Sequence, residues 1–293
     1  MGRRYETISF LSDLGWADEH VGVVKAIVRD MAPHALVIDL THDIARYDVR
    51  AGSLALARAI GYVPSGVVMA VVDAGDRRGV AIEVAGGEGV VIGPDNGLLA
   101  SAISMAGGAG RAVVLDDLEI QLASPGATVP SRDVFAPVAA HLCNGVDLAE
   151  LGTLVDADTL LPGVVPLPRD AEGGGVHAEV LWIDRAGNCQ LNIGPDDVAP
   201  WGAADGVRLQ VTVGDLTRVA QRVPRIGALG PGAVGLIVDG YGLLTLVLDR
   251  RSAADELALA TADQVTVRPL AEGDGGQGVS VPVSMRPSTE RPT

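Results

Sequence analysis

The sequence lacks any run of about 18 uninterrupted apolar residues, the minimum for a membrane-spanning helix. Yet apolar residues make up 48% of its 293 positions and the mean hydropathy is +0.30. That apolarity comes from Ala, Val and Leu, the composition of buried strands and the helices that cover them. Cysteine is nearly absent: Cys143 and Cys189 stand alone, without CxxC spacing. A disulfide scaffold and a thiolate zinc site are thereby excluded, and both residues read as small buried hydrophobes. Positive charge is also scarce, with 22 Lys and Arg against 37 Asp and Glu, a net charge of -15 and a pI near 4.6. Such a surface repels phosphate backbones and anionic lipids, so neither nucleic acid nor a membrane is an expected partner. It suits a cationic small molecule, and it serves solubility equally well. No apolar segment follows Arg3-Arg4, and Glu6 stands where myristoylation at Gly2 would ask for Ser or Thr. The chain is therefore read as cytoplasmic.

What is present alternates. Strand-like runs at residues 7–11, 35–40 and 66–72 are separated by helical spacing over 21–31 and 52–60. Further strands are expected at 80–84 and 90–92, and helices at 96–105 and 135–142. This alternation predicts an α/β layered N-terminal domain over residues 1–165. A Pro-, Gly- and acid-rich stretch places a linker at 166–175. Short strand candidates with turns between them then predict a smaller all-β, barrel-like C-terminal domain over 176–270. Residues 271–293 are Gly-, Ser- and Pro-rich and are expected to form a disordered tail.

Three successive strand candidates end in acids. The first runs into Ser12-Asp13-Leu14-Gly15-Trp16-Ala17-Asp18-Glu19-His20. The second ends in Asp39-Leu40-Thr41-His42-Asp43, with Tyr47 shortly after, and the third in Asp73-Ala74-Gly75-Asp76-Arg77-Arg78. In open α/β sheets, ligands bind at the carboxyl ends of strands. A carboxylate such as Asp13 there matches a ribose diol, two oxygens against two adjacent hydroxyls. Capping of the following helix explains Asp13 equally well. A divalent metal held by Asp13, Asp18, His20, Asp39 and His42 is a further alternative, although the tight spacing matches no metal motif. Asp73 beside Arg77 and Arg78 suits activation of a water, the carboxylate taking the proton and the guanidinium holding developing negative charge. A salt bridge in a surface turn is the bland alternative.

Two other segments read as structural. Gly230-Pro-Gly-Ala-Val-Gly235 formally matches GxGxxG, but it holds a Pro and runs into a strand, so it is a turn. Asp133 sits where it would charge the N-terminus of a helix, and His141 lies among apolar neighbours as a core histidine does.

Taken in order, the segments SDLGWAD, DLTHDI with YDVRAG, VVD with RR, GPDNGLL, TVPSRDVFAPVAAHL and IDRAGNCQLNI resemble the S-adenosylmethionine hydroxide adenosyltransferases. Fluorinating and chlorinating enzymes belong to the same superfamily. The resemblance runs from about Ile8 to Pro269. It implies a homotrimer, with sites between the N-domain of one subunit and the C-domain of its neighbour. It also implies S-adenosylmethionine as substrate, no cofactor and no metal. Asp13 would grip the ribose hydroxyls, Asp18 would face the methionine part, and Tyr47 would stack on the ribose–adenine portion. Asp184 and Asn188 would bind the methionine end and the adenine.

The implied chemistry is in-line displacement at ribose C5′ by water, giving adenosine and methionine. Asp73 matches the family's Asp, and Arg77 or Arg78 its Arg. Chlorinating relatives carry Tyr where this chain has Asp73, which favours hydroxide over halide. Pro130-Ser131 stands where hydroxide-using relatives show His-Gly, and Ser131 matches the fluorinating branch. His20 and His141 are the nearest substitutes for the missing histidine. Formation of 5′-halo-adenosine, and binding without catalysis, are the alternatives that this departure leaves.

Overall fold

The computed structural model describes residues 4–201 and 204–270. Two compact units divide the chain, the first ending at Val165 and the second beginning at Pro166.

In the first unit the elements run β1 (Thr7–Ser12), α1 (His20–Met31), β2 (Leu36–Thr41), α2 (Val49–Ala59) and β3 (Val67–Val71). They continue with β4 (Gly79–Val84), β5 (Val90–Pro94), α3 (Ala100–Met105), β6 (Ala109–Val114), α4 (Ala136–Cys143) and β7 (Thr153–Val155). The seven strands form one mixed sheet in the order β2-β1-β3-β5-β4-β6-β7. Strands β2, β1, β3 and β5 are parallel, whereas β4 and β6 pair antiparallel with their neighbours. Every residue of β3 and β5 is buried, as expected of central strands covered on both faces. Val21, Val24 and Val28 put one face of α1 into a core shared with α4 and with Ile8, Phe10, Met69 and Ile92. Helix α2 approaches the sheet elsewhere. A Cβ at Gly52 would lie 2.9 Å from Leu98 and 3.0 Å from Val72, which is why the closest point of α2 carries no side chain.

The second unit holds β8 (Arg169–Asp170), β9 (Val176–Ile183), β10 (Cys189–Leu191), β11 (Arg208–Val213), β12 (Leu216–Arg222), β13 (Val234–Val238), β14 (Leu244–Leu248), α5 (Ala253–Leu257) and β15 (Gln264–Pro269). The sheet order β10-β14-β13-β12-β11-β15-β9, with β9 pairing back to β10, closes seven strands into a barrel, and β8 adds to β9 outside the ring. Closure removes the free edges that an open sheet of short strands would expose. Val180, Leu191, Val211, Leu236, Leu246 and Val267 fill the interior.

Several expectations need adjustment. The helix expected over 135–142 begins earlier, with a π-helical turn at Ser131–Phe135 that leads into α4. Within 166–175, the stretch read as a linker, Arg169–Asp170 pairs with β9. Strands β6, β7, β10 and β12 lie outside the segments expected to form strands. The GxGxxG look-alike is a turn, with Gly232 at φ 73°, that feeds β13. The tail expected at 271–293 lies outside the described residues.

Gly93 of β5 marks the tightest approach near the sheet centre, where a Cβ would stand 2.3 Å from the carbonyl oxygen of Ala70. Gly93→Ala should therefore destabilise the chain by about 1–3 kcal/mol, as overpacking does, measured by urea denaturation. An unchanged midpoint would mean that β5 can step away from β3 freely.

Candidate functional site

Strand β1 has β2 on one side and β3 on the other, both parallel to it. The chain therefore leaves β1 in one direction and returns on the opposite side. Such a switch point opens a crevice at the carboxyl ends of the strands. Asp13 follows β1 and Asp73 follows β3 by one residue beyond Val72, so both acids stand at this crevice.

Asp13 organises the crevice. Its Oδ2 accepts the backbone N–H of Tyr47 at 3.1 Å and that of Asp73 at 3.2 Å, while its own N–H donates to the carbonyl of Val71. Both amide donors belong to residues with left-handed backbone, Tyr47 at φ 65° and Asp73 at φ 48°. Non-glycine residues there carry strain of order 1–3 kcal/mol each, and hydrogen bonds to a charged acceptor offset it by a similar amount. The Asn96 side chain completes the arrangement, donating through Nδ2 to the carbonyls of Val72 (3.0 Å) and Asp73 (3.2 Å) while Oδ1 accepts from Leu98. Asp13 does not cap α1, whose N-cap is Glu19. The capping alternative fails because this carboxylate is engaged by two other loops.

A cleft of about 150 Å³ results, lined by Asp13, Arg46, Tyr47, Asp73, Pro130 and Ser131 among others. Ser131 is 3% exposed and lies in the π-helical turn, a local irregularity often found at functional sites. Arg77 and Arg78 line a neighbouring cavity of about 510 Å³ instead, which shares Gly75 and Pro130 with the cleft. Arg78 is further committed: its Nε and Nη2 hold Asp95 Oδ2 at 2.8 and 2.6 Å, and Asp95 Oδ1 accepts the amide of Leu161. Asp18 is exposed on the loop before α1, and neither His20 nor His141 lines the cleft. Burial lowers the pKa of the His141 imidazole.

Asp133 is 2% exposed, paired with Arg132 and bonded by the amide of Val129, contacts that outweigh burial and hold its carboxyl low. It therefore braces the segment that carries Ser131, where the sequence suggested only a helix-terminal charge. Arg46 and the role of Asn96 escaped the sequence reading. Arg46 belongs to no motif, although it immediately precedes Tyr47, which was singled out.

The second unit holds Asp184 and Asn188 in the turn from β9 to β10. Asp184 Oδ1 accepts the amides of Ala186 and Asn188, and Oδ2 accepts Asn188 Nδ2 at 2.8 Å. Asn188 lines a separate cleft of about 350 Å³ with Ile226, Arg250, Arg251 and Ser252. Both cysteines are buried, and desolvation pushes each thiol up to about 12. Among the described residues, no three His, Cys, Asp or Glu side chains converge as a metal-binding set. No described helix is long and apolar enough to cross a membrane.

Behind Asp13 a chain of polar contacts runs from the buried Ser12 and His42 out to the exposed Asp39 and half-exposed Lys25. Ser12 Oγ lies 2.7 Å from His42 Nδ1, His42 Nε2 lies 3.2 Å from Asp39 Oδ1, and Lys25 Nζ donates to Asp39 Oδ2 at 2.8 Å. A carboxylate only accepts, so His42 donates through Nε2 and accepts the Ser12 hydroxyl at Nδ1. Burial raises the Asp39 carboxyl, but the Lys25 and His42 hydrogen bonds prevail and lower it. Burial lowers His42, with Asp39 opposing only in part. The His42 ring is fully buried, with Phe10 and Trp16 packed edge-on at 4.5 and 4.7 Å, and its carbonyl accepts the amide of Gly15. The loop carrying Asp13 is thus fastened to a neutral imidazole.

An unfolded histidine protonates near pH 6.5, whereas folded His42 resists protonation. As pH falls below about 6.5, the unfolded chain binds protons that the folded chain refuses, and stability is lost. His141 acts in the same sense, so the informative quantity is a difference between variants. His42→Gln should flatten the loss of denaturation midpoint between about pH 6.5 and 5. A variant curve parallel to that of the unaltered chain would remove His42 from this role.

The chain is similar to known proteins over most of its length. Residues 8–152 match the family model described as SAM hydroxide adenosyltransferase N-terminal domain, and residues 178–266 match its C-terminal domain. A protein of Salinispora tropica named (R)-S-adenosyl-L-methionine hydrolase is 38% identical over 263 residues, spanning 89% of this chain and 97% of that one. A protein of the same name from Salinispora arenicola is 39% identical over 268 residues, with 89% and 97% covered. The crystal structure of an uncharacterized conserved protein from Thermotoga maritima superposes with a TM-score of 0.79 at 28% identity, covering 89% of this chain and 99% of that one. With both of its units matched in chain order, the protein belongs to the SAM hydroxide adenosyltransferase family.

Proposed function

We propose that the chain is an S-adenosylmethionine hydrolase in which water attacks ribose C5′, forming adenosine and releasing L-methionine. The observation that carries this reading is the convergence of Asp13, Tyr47, Asp73 and Ser131 on one cleft at the switch point. The relatives named as hydrolases support it across nearly the full chain.

A carboxylate has about four acceptor positions. The amides of Tyr47 and Asp73 occupy Oδ2 of Asp13, which leaves Oδ1 for the ribose hydroxyls. Tyr47, 70% exposed, offers its ring for stacking against the ribose–adenine portion. Asp18 faces the methionine ammonium. Asp184 and Asn188, on the second unit, take the methionine end and adenine from a neighbouring subunit of a homotrimer. The first unit is read as layered, with helices on both faces of its sheet. The cytoplasm, where S-adenosylmethionine is made, is the expected location.

In the reaction the C5′–S bond breaks with its electron pair moving to sulfur, and methionine leaves as a neutral thioether. A sulfonium leaves without an acid or a metal to assist it. The demand falls on the nucleophile. Asp73 accepts a proton from water as the C5′–O bond forms, and Ser131 helps to place that water. Both arginines line the adjoining cavity, and Arg78 is held by Asp95, so Arg77 is the one that lends electrostatic support from across the shared Gly75 and Pro130.

Asp73→Asn should lower turnover about 10²–10⁴-fold, the usual reach of a general base, measured as adenosine release by chromatography. Turnover near that of the unaltered chain would take Asp73 out of the reaction. The buried Ser131 hydroxyl favours a second reading, in which a halide occupies the place of water. Incubation with chloride or fluoride should still give adenosine alone, and 5′-halo-adenosine would establish the halide reading. Tight binding without adenosine release would point to a non-catalytic binding protein.

A further inference from the structure

The proposed substrate ends in an amino acid, one ammonium and one carboxylate beyond the sulfonium. Asp18 meets the ammonium in the reading above. A cation for the carboxylate has not been assigned in the first unit. Arg78 is bound to Asp95, and Arg77 lines the adjoining cavity. The guanidinium that lines the cleft is that of Arg46.

Its place along the chain is fixed on both sides. The amide of the next residue, Tyr47, is held by Asp13 Oδ2 at 3.1 Å. One residue further, Asp48 donates its amide to the carbonyl of Ala45 at 3.0 Å and caps α2 by accepting the amide of Ala51 at 2.8 Å. The side chain, by contrast, is uncommitted. Among the described residues no hydrogen bond or ion pair engages the Arg46 guanidinium, and it is exposed. An unengaged cation beside Asp13 and Asp73, on a chain of net charge -15, is poorly explained as solubilising charge.

We infer that Arg46 pairs with the α-carboxylate of the methionine moiety and makes the site selective for a sulfonium that carries an intact amino acid. The inference rests on the hydrolase reading. Exposure decides which part of the substrate Arg46 meets. The floor of the cleft, with Ser131 at 3% exposure, is where the nucleophile and C5′ belong, whereas an exposed guanidinium at the rim meets the far, charged end. A guanidinium fork matches a carboxylate through two parallel N–H···O bonds, which a lysine ammonium cannot reproduce.

The test compares S-adenosylmethionine with its decarboxylated analogue, which keeps the sulfonium and the amine but lacks the carboxylate. Arg46→Met should raise KM for S-adenosylmethionine about 10- to 100-fold, with kcat within about threefold. On the decarboxylated analogue, the same variant should stay within about twofold of the unaltered protein, since the partner is already missing. Arg46→Lys should fall between the two on S-adenosylmethionine. Equal losses on both substrates, or a loss on neither, would overturn the assignment. Should the unaltered protein release adenosine from neither compound, the hydrolase reading falls. Arg46 is then judged by the same comparison made on dissociation constants from calorimetry.

Discussion

One carboxylate oxygen holds the site together. Oδ2 of Asp13 accepts the amides of Tyr47 and Asp73, and so ties the loops after β1, β2 and β3 to a single point. Both amides belong to residues twisted into left-handed backbone, a conformation that neither tyrosine nor aspartate adopts cheaply. The strain and the charge are therefore linked. The anion keeps the two backbones turned inward, and the turned backbones keep the anion in place. Removing the Asp13 carboxylate would release Tyr47 and Asp73 from their orientations and, in the proposed reaction, would also cost the ribose contact and misplace the base.

That arrangement is supported from beneath. Asn96 caps the carbonyls of Val72 and Asp73 from the β5–α3 loop, so the Asp73 turn is held on its donor side by Asp13 and on its acceptor side by an amide. The Ser12–His42–Asp39–Lys25 chain serves the other loop. It resembles a hydrolytic triad in composition, but the Ser12 hydroxyl is wholly buried and has no substrate-facing side. Its role is to orient. A neutral imidazole accepts the hydrogen bond of the serine hydroxyl at one nitrogen and donates one to Asp39 at the other, which fixes the loop without adding a charge on the ring beneath Asp13.

The fold was legible where burial leaves a periodic or continuous apolar trace. β3 reads directly from Val-Val-Met-Ala-Val because every position is buried. α1 reads from valines at helical spacing. β12, Leu-Thr-Arg-Val-Ala-Gln-Arg, escaped because a barrel strand turns half its residues to solvent and its identity comes from pairing with β11 and β13, contacts remote in sequence. The site divides in the same way. Strand-end acids announce themselves in a sequence, and that rule points to Asp13 and Asp73, which line the cleft, and to Asp18 and Asp39, which do not, whereas Tyr47 and Ser131 are pointed to by the resemblance. Ion pairing across the fold leaves no such trace. Nothing in Asp76-Arg77-Arg78 indicates that Asp95, 17 residues later, pairs with Arg78. Arg46 went unnoticed because its importance lies in what lines a cavity.

In the proposed reaction, Pro130-Ser131 in place of the histidine that the resemblance leads one to expect carries a cost that the chemistry can bear. Breaking the C5′–S bond of a sulfonium neutralises a charge and requires no proton at the leaving group, so the site has only one proton to manage, that of the attacking water. One carboxylate in the right orientation suffices for that. Orientation is what the structure supplies most strongly, through two amides on Asp13, a side-chain amide under Asp73 and the Arg132–Asp133 pair bracing the turn of Ser131. A base assisted by placement loses less from the absence of a second titrating group than one that depends on a proton relay. On this account Pro130-Ser131 changes how the water is held, through a hydroxyl in place of an imidazole, and leaves the direction of attack to the scaffold around Asp73.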